Sequence, residues 1–319
     1  MHTSRTFFDL ALRSSSNHSS RKNWSVLLLL LLLLASCGEV SRSLAAPISP
    51  SPASVARPDE WIISSKAISL LEEHGATQQF LAGLFDNAHT YIIIDYTHTN
   101  PFPHAIPVAS FTSYQDIAHP KVIGIQSALS QPHLPGPVQA IAYDDEYWQY
   151  TPTSEATHPL SWVATASALV HKDKLHFISL PGMDLGLSAT GKVQSLPQSY
   201  YSFVKDGYLR MAQYDDLFEL QLENIEKDTL YATLTQQAGE RVRKFNPKIS
   251  FFVQLTSNPN RQVVTGKDLL NAYQATRGFV DGYALTIPDD PSICPACPKT
   301  PNVQAMLEFL QAIAKGNSH

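Results

Sequence analysis

From Trp61 onward, short apolar segments rich in β-branched residues alternate with longer segments of helical character. The apolar segments cover residues 91–96, 121–126, 139–145, 175–180, 217–223, 249–256 and 280–287. Helical segments cover residues 161–171, 229–244, 266–277 and 303–314. Most of the apolar segments are nearly continuous, which is typical of parallel strands that are covered on both faces. The alternation therefore predicts βα units around a parallel sheet.

Seven or eight such units over about 250 residues are the size of a (β/α)8 barrel of the TIM type. Seven segments are convincing strands, so we expect either that residues 61–64 supply the eighth or that the barrel is irregular. A doubly wound open sheet is the alternative. It is disfavoured because no G-x-G-x-x-G or P-loop sequence follows a strand, and such sheets use these glycines to approach phosphates closely.

The N-terminal region has the pattern of an export signal. Arg21 and Lys22 precede an uninterrupted apolar run over residues 26–34, which is too short to span a bilayer. The run ends in Leu-Ala-Ser before Cys37, as in a bacterial lipobox. We therefore predict a lipoprotein signal peptide over residues 1–36, acylation of Cys37, and a lipid-anchored extracytoplasmic protein. Ordinary secretion is the alternative.

Residues 37–60 are rich in Ser, Pro and Ala and lack apolar periodicity, so we interpret them as a tether to the membrane. Residues 61–319 then form one barrel domain, which we expect to be monomeric. The formal net charge is −5 and no basic block occurs, which argues against a nucleic-acid partner.

The sequence predicts no metal and no cofactor. It has 12 histidines but no H-E-x-x-H spacing. Cys294 and Cys297 lie in a C-x-x-C, for which a second half of a zinc site is missing. A local disulfide between them is the favoured interpretation outside the cytosol, and a metal site or free thiols are the alternative.

An acid-rich segment follows the strand at 139–145. Asp144, Asp145 and Glu146 are consecutive, and Trp148 follows them. In such barrels, reactive groups lie at the C-terminal ends of strands. Acids here offer general acid/base groups, and the rings offer flat surfaces for a sugar. The same acids would equally suit a helix N-cap in a solvated loop.

The segment 217–223 alternates apolar and polar residues. Its polar positions are Glu219, Gln221 and Glu223, which the period of a strand places on one face. If the apolar face meets the helices, this polar face points into the barrel, with Glu223 nearest the C-terminal end. A wet polar face on an edge-like strand is the alternative.

Other predicted strand ends add further polar and aromatic side chains: Asp95, Asp184, Gln254 and Tyr283. Together these residues predict a carbohydrate cleft. Our first hypothesis is a glycosidase with Asp144 or Glu146 as general acid/base, opposed by Glu223 or Asp184, and with Trp148, Gln221, Gln254, Tyr283 and Asp95 around the sugar. The alternative is a non-catalytic surface lipoprotein that binds a glycan or cell-wall fragment.

Three segments carry a family resemblance: residues 143–155, 246–261 and 269–288 with the C-x-x-C that follows. The chain resembles an uncharacterised group of bacterial secreted proteins and lipoproteins with glycoside-hydrolase-like (β/α)8 barrels. The resemblance implies the barrel and an acidic strand end at Asp144, Glu146 and Glu155. Members of that group favour two glutamines where this chain has Gln221 and Glu223. This difference argues against a catalytic role for Glu223, because an amide cannot transfer the proton.

Overall fold

Eight parallel strands close into a barrel in the order in which they occur along the chain. The computed structural model describes residues 60–118, 121–130, 134–185, 196–205, 207–222, 225–259, 263–288 and 300–316. The strands are β1 (Glu60–Ser64), β2 (Thr90–Ile94), β3 (Ile106–Phe111), β4 (Ala140–Tyr143), β5 (His176–Ser179), β6 (Leu217–Leu220), β7 (Ser250–Thr256) and β8 (Gly282–Thr286). Because β1 pairs with both β2 and β8, the sheet has no open edge. The predicted (β/α)8 barrel is confirmed.

Helices follow most of the strands and cover the outside of the barrel. They are α1 (Ser65–Glu73), α2 (Gln78–Phe85), α3 (Ile125–Ser130), α4 (Thr153–Thr157), α5 (Pro159–Lys172), α6 (Leu196–Lys205), a 3-10 helix (Tyr208–Gln213), α7 (Thr229–Phe245), α8 (Gly266–Thr276) and α9 (Val303–Gly316). The four helices predicted from the sequence are confirmed as α5, α7, α8 and α9. Local signals fix where several begin. For example, Thr265 and Asp268 form a reciprocal capping box at the start of α8.

The barrel separates two apolar layers. Side chains on the outer face of the strands pack against the helices in one large buried cluster. A smaller cluster fills the barrel interior and includes Ile62, Val108, Ile178, Leu217 and Phe252. Because these side chains fill it, the interior is a packed core and not a channel. Burying one such side chain stabilises the folded state by about 1.5–3 kcal/mol.

Phe252 requires a glycine beside it. It pairs with Gly282 of the neighbouring strand, and a Cβ at position 282 would lie only 2.5 Å from its ring. The same Cβ would lie 2.4 Å from the carbonyl oxygen of Glu60. Gly282 therefore makes room for a large ring in the barrel interior.

Two strand assignments needed the structure. Residues 61–64 supply a strand, as one of our alternatives held, but residues 121–126 do not. There, Val122 forms only an isolated bridge with Ile117, and α3 begins at Ile125. The strand in this part of the barrel is β3, which contains Pro107. Proline lacks a backbone N–H and argues against a central strand, so the pattern at 106–111 is weak in the sequence.

Candidate active site at the barrel mouth

A cavity of about 430 Å³ opens at the end of the barrel where the strands terminate. Its polar lining comes from six strands or the residues that follow them: Ser64, Ser110, Asp144, Glu146, Glu219, Gln221, Gln254, Thr256, Asn258 and Thr286. The ring of Trp148 also contributes to the wall. Side chains of distant parts of the sequence meet here because parallel strands end at one face of the barrel.

Asp144 lies at the wall of this cavity. It follows β4, two residues after the inward-facing Ala142, and points in the same direction. Gln221 Nε2 donates to Asp144 Oδ1 at 3.0 Å and to the carbonyl oxygen of Leu180 at 2.9 Å. Both hydrogens of the amide are thereby used, which holds the Asp144 carboxyl in one orientation.

Burial raises the pKa of Asp144 to about 6. The hydrogen bond from Gln221 acts in the opposite direction because it stabilises the ionised form, and the nearby charge of Asp184 adds to the increase. A carboxyl with this pKa changes protonation state near neutral pH, as a general acid/base group must.

The side chains of Glu146 and Asp184 both lie next to Gly182, which belongs to the loop after β5. A Cβ at position 182 would be 2.7 Å from Glu146 Cγ and 2.8 Å from Asp184 Oδ1. Asp184 does not line the cavity; its Oδ1 accepts a hydrogen bond from the backbone N–H of Tyr147 at 3.0 Å. Burial raises the pKa of Asp184, while the backbone hydrogen bonds partly lower it. Asp184 thus supports the loop that carries Glu146.

The polar face of β6 points into the barrel. Glu219 and Gln221 line the cavity, whereas Phe218 and Leu220 pack outward in the large apolar cluster. This is the arrangement that the alternation in the sequence indicates. Glu223 lies outside the described residues.

Two of the predicted sugar-holding residues, Trp148 and Gln254, also line the cavity. Trp148 Nε1 donates to Thr151 Oγ1 at 3.1 Å, and the ring meets Tyr150 edge-on at 4.8 Å between centroids. Gln254 Nε2 donates to Thr286 Oγ1 at 3.0 Å. Gln254 Oε1 is buried and has no hydrogen-bond partner within the described residues.

The structure does not bring Tyr283 and Asp95 to the cavity. Tyr283 lies outside the barrel wall, only 1% exposed, and its hydroxyl donates to the Tyr273 carbonyl oxygen at 2.9 Å. Asp95 accepts hydrogen bonds from the backbone N–H groups of Thr97 and His98, at 2.6 and 2.7 Å. Burial raises the pKa of Asp95, but the hydrogen bonds from Thr97 and His98 outweigh it and lower the pKa to about 2. Asp95 therefore shapes its own turn.

Glu155 is a structural acid behind the cavity. Its carboxylate accepts from Tyr143 Oη at 2.6 Å, and from the backbone N–H groups of Tyr114 at 2.7 Å and Gln115 at 3.0 Å. These bonds join the segments after β3 and β4. Glu155 is fully buried and does not line the cavity, which contrasts with the placement that the family resemblance implies.

Asp145 points away from Asp144, as consecutive residues at a strand end do. It is 1% exposed, and neither carboxyl oxygen has a hydrogen-bond partner within the described ranges. Burial raises the pKa of Asp145 well above its usual range, and the nearby charges of Glu155, Asp144 and Asp184 raise it further. The folded protein therefore favours the protonated form of this carboxyl.

Sequence reasoning missed part of the lining. Ser110 belongs to β3, a strand that the sequence pattern does not show because it contains a proline. Thr286 lies in the apolar strand β8, and nothing in the neighbouring sequence indicates its hydrogen bond with Gln254. Asn258 lies in a turn that the sequence shows as an ordinary Asn-Pro turn. Its contribution depends on how β7 and β8 meet, since its side chain reaches the Pro288 carbonyl oxygen.

Other predictions fall on residues that the structure does not describe. Cys37, Cys294 and Cys297 lie outside the described residues. Among the residues that are described, no three His, Cys, Asp or Glu side chains come together as a metal site. Within the same ranges, no helix has the length and apolarity needed to cross a bilayer. No protein-family model matches the sequence, and no curated protein is significantly similar to it.

Proposed function

We propose that the protein hydrolyses glycosidic bonds in the cavity at the barrel mouth. The observation that carries the proposal is Asp144, a cavity carboxyl whose pKa burial raises to about 6 and whose orientation Gln221 fixes. A second carboxyl, Glu146, lines the same cavity. Two carboxyl groups at one open site are the minimum that glycoside hydrolysis requires.

In this mechanism, protonated Asp144 donates its proton to the departing glycosidic oxygen. Glu146, the second carboxyl of the cavity, acts either as a nucleophile or by activating water, depending on the separation of the two carboxyls. Gln254 and Trp148 line the cavity beside the carboxyls, so the Gln254 amide bonds to a sugar hydroxyl and Trp148 packs against the sugar ring. Glu219, on β6, lines the same cavity as a third acidic side chain.

The test is to incubate the purified full-length protein with a panel of soluble polysaccharides and to measure the release of reducing ends. We expect release by the natural protein, and a decrease of at least about 100-fold in Asp144→Asn and Glu146→Gln. Asp173→Asn, on an exposed turn, is the matched control and retains activity. Binding of a glycan without any release would show instead a non-catalytic glycan-binding protein. If the protein neither binds nor cleaves any of the polysaccharides, both interpretations are contradicted.

We further propose that the chain is an exported lipoprotein anchored through acylated Cys37. The support is the sequence pattern alone: basic residues, a short apolar run and Leu-Ala-Ser-Cys. Mass spectrometry of the N-terminal peptide from a bacterial expression host tests it. A diacylglyceryl group on Cys37 that is lost in Cys37→Ser supports the proposal, and an unmodified cysteine in an intact N-terminal segment contradicts it.

A further inference from the structure

The geometry points to a substrate that is a glycan chain of several sugar units, bound across two tyrosines on the rim of the mouth, Tyr96 and Tyr147. This inference rests on the proposed function and specifies the substrate class of that same site.

Among the described residues, two tyrosine rings at the mouth are exposed. Tyr96 is 69% exposed and Tyr147 is 49% exposed. Tyr96 follows β2 and Tyr147 follows β4, so both stand at the end of the barrel where the cavity opens. Neither ring lines the cavity itself. A ligand that contacts them must therefore extend beyond the cavity.

Hydrogen bonds hold the backbone of the turn that carries Tyr96. The carboxylate of Asp95 accepts from the backbone N–H groups of Thr97 and His98, and from Thr97 Oγ1 at 2.7 Å. The carbonyl oxygen of His98 in turn accepts from Ser65 Oγ at 3.1 Å, which ties the turn to the start of α1. The ring is thus presented to solvent by a turn with several internal hydrogen bonds.

The second ring is held in a similar way. The backbone N–H of Tyr147 donates to Asp184, and the next residue, Trp148, is fixed by Thr151. Thr151 Oγ1 also donates to the Thr112 carbonyl oxygen at 2.7 Å. Backbone that is already held by hydrogen bonds loses little conformational entropy when a ligand binds, which favours affinity.

Tyrosine rings suit the faces of sugars. The apolar ring packs against the C–H groups of a pyranose, and the hydroxyl bonds to sugar hydroxyls or water. One unit in the cavity meets Trp148 and the carboxyls, while neighbouring units reach the rim tyrosines. A monosaccharide glycoside would leave both tyrosines unused.

The experiment measures binding as a function of chain length. The probes are homo-oligomers of glucose, N-acetylglucosamine, mannose and xylose, one to six units long, titrated into the full-length protein. We expect affinity to increase with length, and Tyr96→Ala and Tyr147→Ala each to lower affinity for the longest bound oligomers about tenfold. Affinity for the shortest bound oligomer stays within about twofold. Phe245→Ala, an exposed ring (38%) at the opposite end of the barrel, is the matched control and changes neither.

Two results would overturn the inference and leave the proposed function standing. One is an affinity that does not depend on chain length. The other is an increase with length that both tyrosine variants retain. Absence of binding to every oligomer, together with no hydrolysis of polysaccharides, would instead contradict the proposed function and remove the basis of this inference.

Discussion

The side-chain amide of Gln221, just after β6, donates to the carboxyl of Asp144, just after β4, at 3.0 Å. The bond passes over the end of β5, where the same amide nitrogen also donates to the Leu180 carbonyl oxygen. This hydrogen bond holds the Asp144 carboxyl in one orientation. Burial raises the pKa of Asp144 to about 6, although the hydrogen bond from Gln221 acts against the increase.

Replacing Gln221 by leucine removes a donor that stabilises the ionised form of Asp144. We expect the pKa of Asp144 to increase by about one unit, as for loss of a hydrogen bond to a charged group. A general acid must be protonated, so kcat/KM of the natural protein decreases as the pH rises through about 6. In Gln221→Leu this decrease shifts to higher pH. An unchanged profile in a folded variant would show that Asp144 is not the acid.

Asp145 makes stability depend on pH. Its pKa is raised in the folded protein, so the folded state retains a proton that the unfolded state releases above about pH 4. The stabilisation by this group is complete at low pH and is lost as the pH rises. We expect Asp145→Asn to increase the free energy of unfolding at pH 8 by on the order of 2 kcal/mol and to have little effect at pH 3.5.

Urea denaturation at the two pH values measures this change, with the exposed Asp173→Asn as the matched control. A decrease in stability at pH 8 would mean that Asp145 is ionised and paired in the folded protein.

Glu155 acts on stability and not on chemistry. An amide at this position accepts through one oxygen only, so Glu155→Gln leaves one of the N–H donors of Tyr114 and Gln115 facing an NH₂ group. We expect a loss of about 1–3 kcal/mol in the free energy of unfolding. The pH profile of hydrolysis should stay the same below the unfolding temperature. The exposed Glu73→Gln controls for charge, and a shifted pH profile in Glu155→Gln would place Glu155 in the reaction.

Gly182 keeps Glu146 and Asp184 in position. A methyl group there would overlap with both side chains, at 2.7 and 2.8 Å, so Gly182→Ala must displace Glu146. Displacement of a reacting group by about 1 Å lowers kcat/KM by about 10- to 100-fold. Gly278→Ala is the matched control, because no heavy atom of the described residues lies within 4 Å of its Cβ position. Full activity in a folded Gly182→Ala variant would remove Glu146 from the mechanism.

The sequence predicted the fold well because its signal is repeated along the chain. Four long helices carry helical periodicity, most strands are nearly continuous apolar runs, and each βα unit supports the same architecture. One strand was assigned to the wrong segment, since Pro107 masks β3 while the apolar run near Val122 imitates a strand. The local sequence pattern does not show which of these two segments is the strand. In the structure, residues 106–111 are the strand because they pair with β2 and β4.

The site was harder to predict because it depends on the direction in which each side chain points. Period-two alternation placed Glu219 and Gln221 on one face, since that reasoning uses backbone geometry alone. It does not tell whether Tyr283 faces the cavity or the helices, and the structure shows the helices. Nor does it separate Asp144 from Glu155, which differ in their hydrogen-bond donors and not in residue class.

The most direct measurement is a crystal structure of the Asp144→Asn variant with an oligosaccharide that the natural protein binds. We expect a sugar ring in the cavity at the barrel mouth, with the glycosidic oxygen within hydrogen-bond distance of side chain 144 and with Glu146 near the same bond. A glycan bound only elsewhere on the protein, with the mouth empty, would contradict the account.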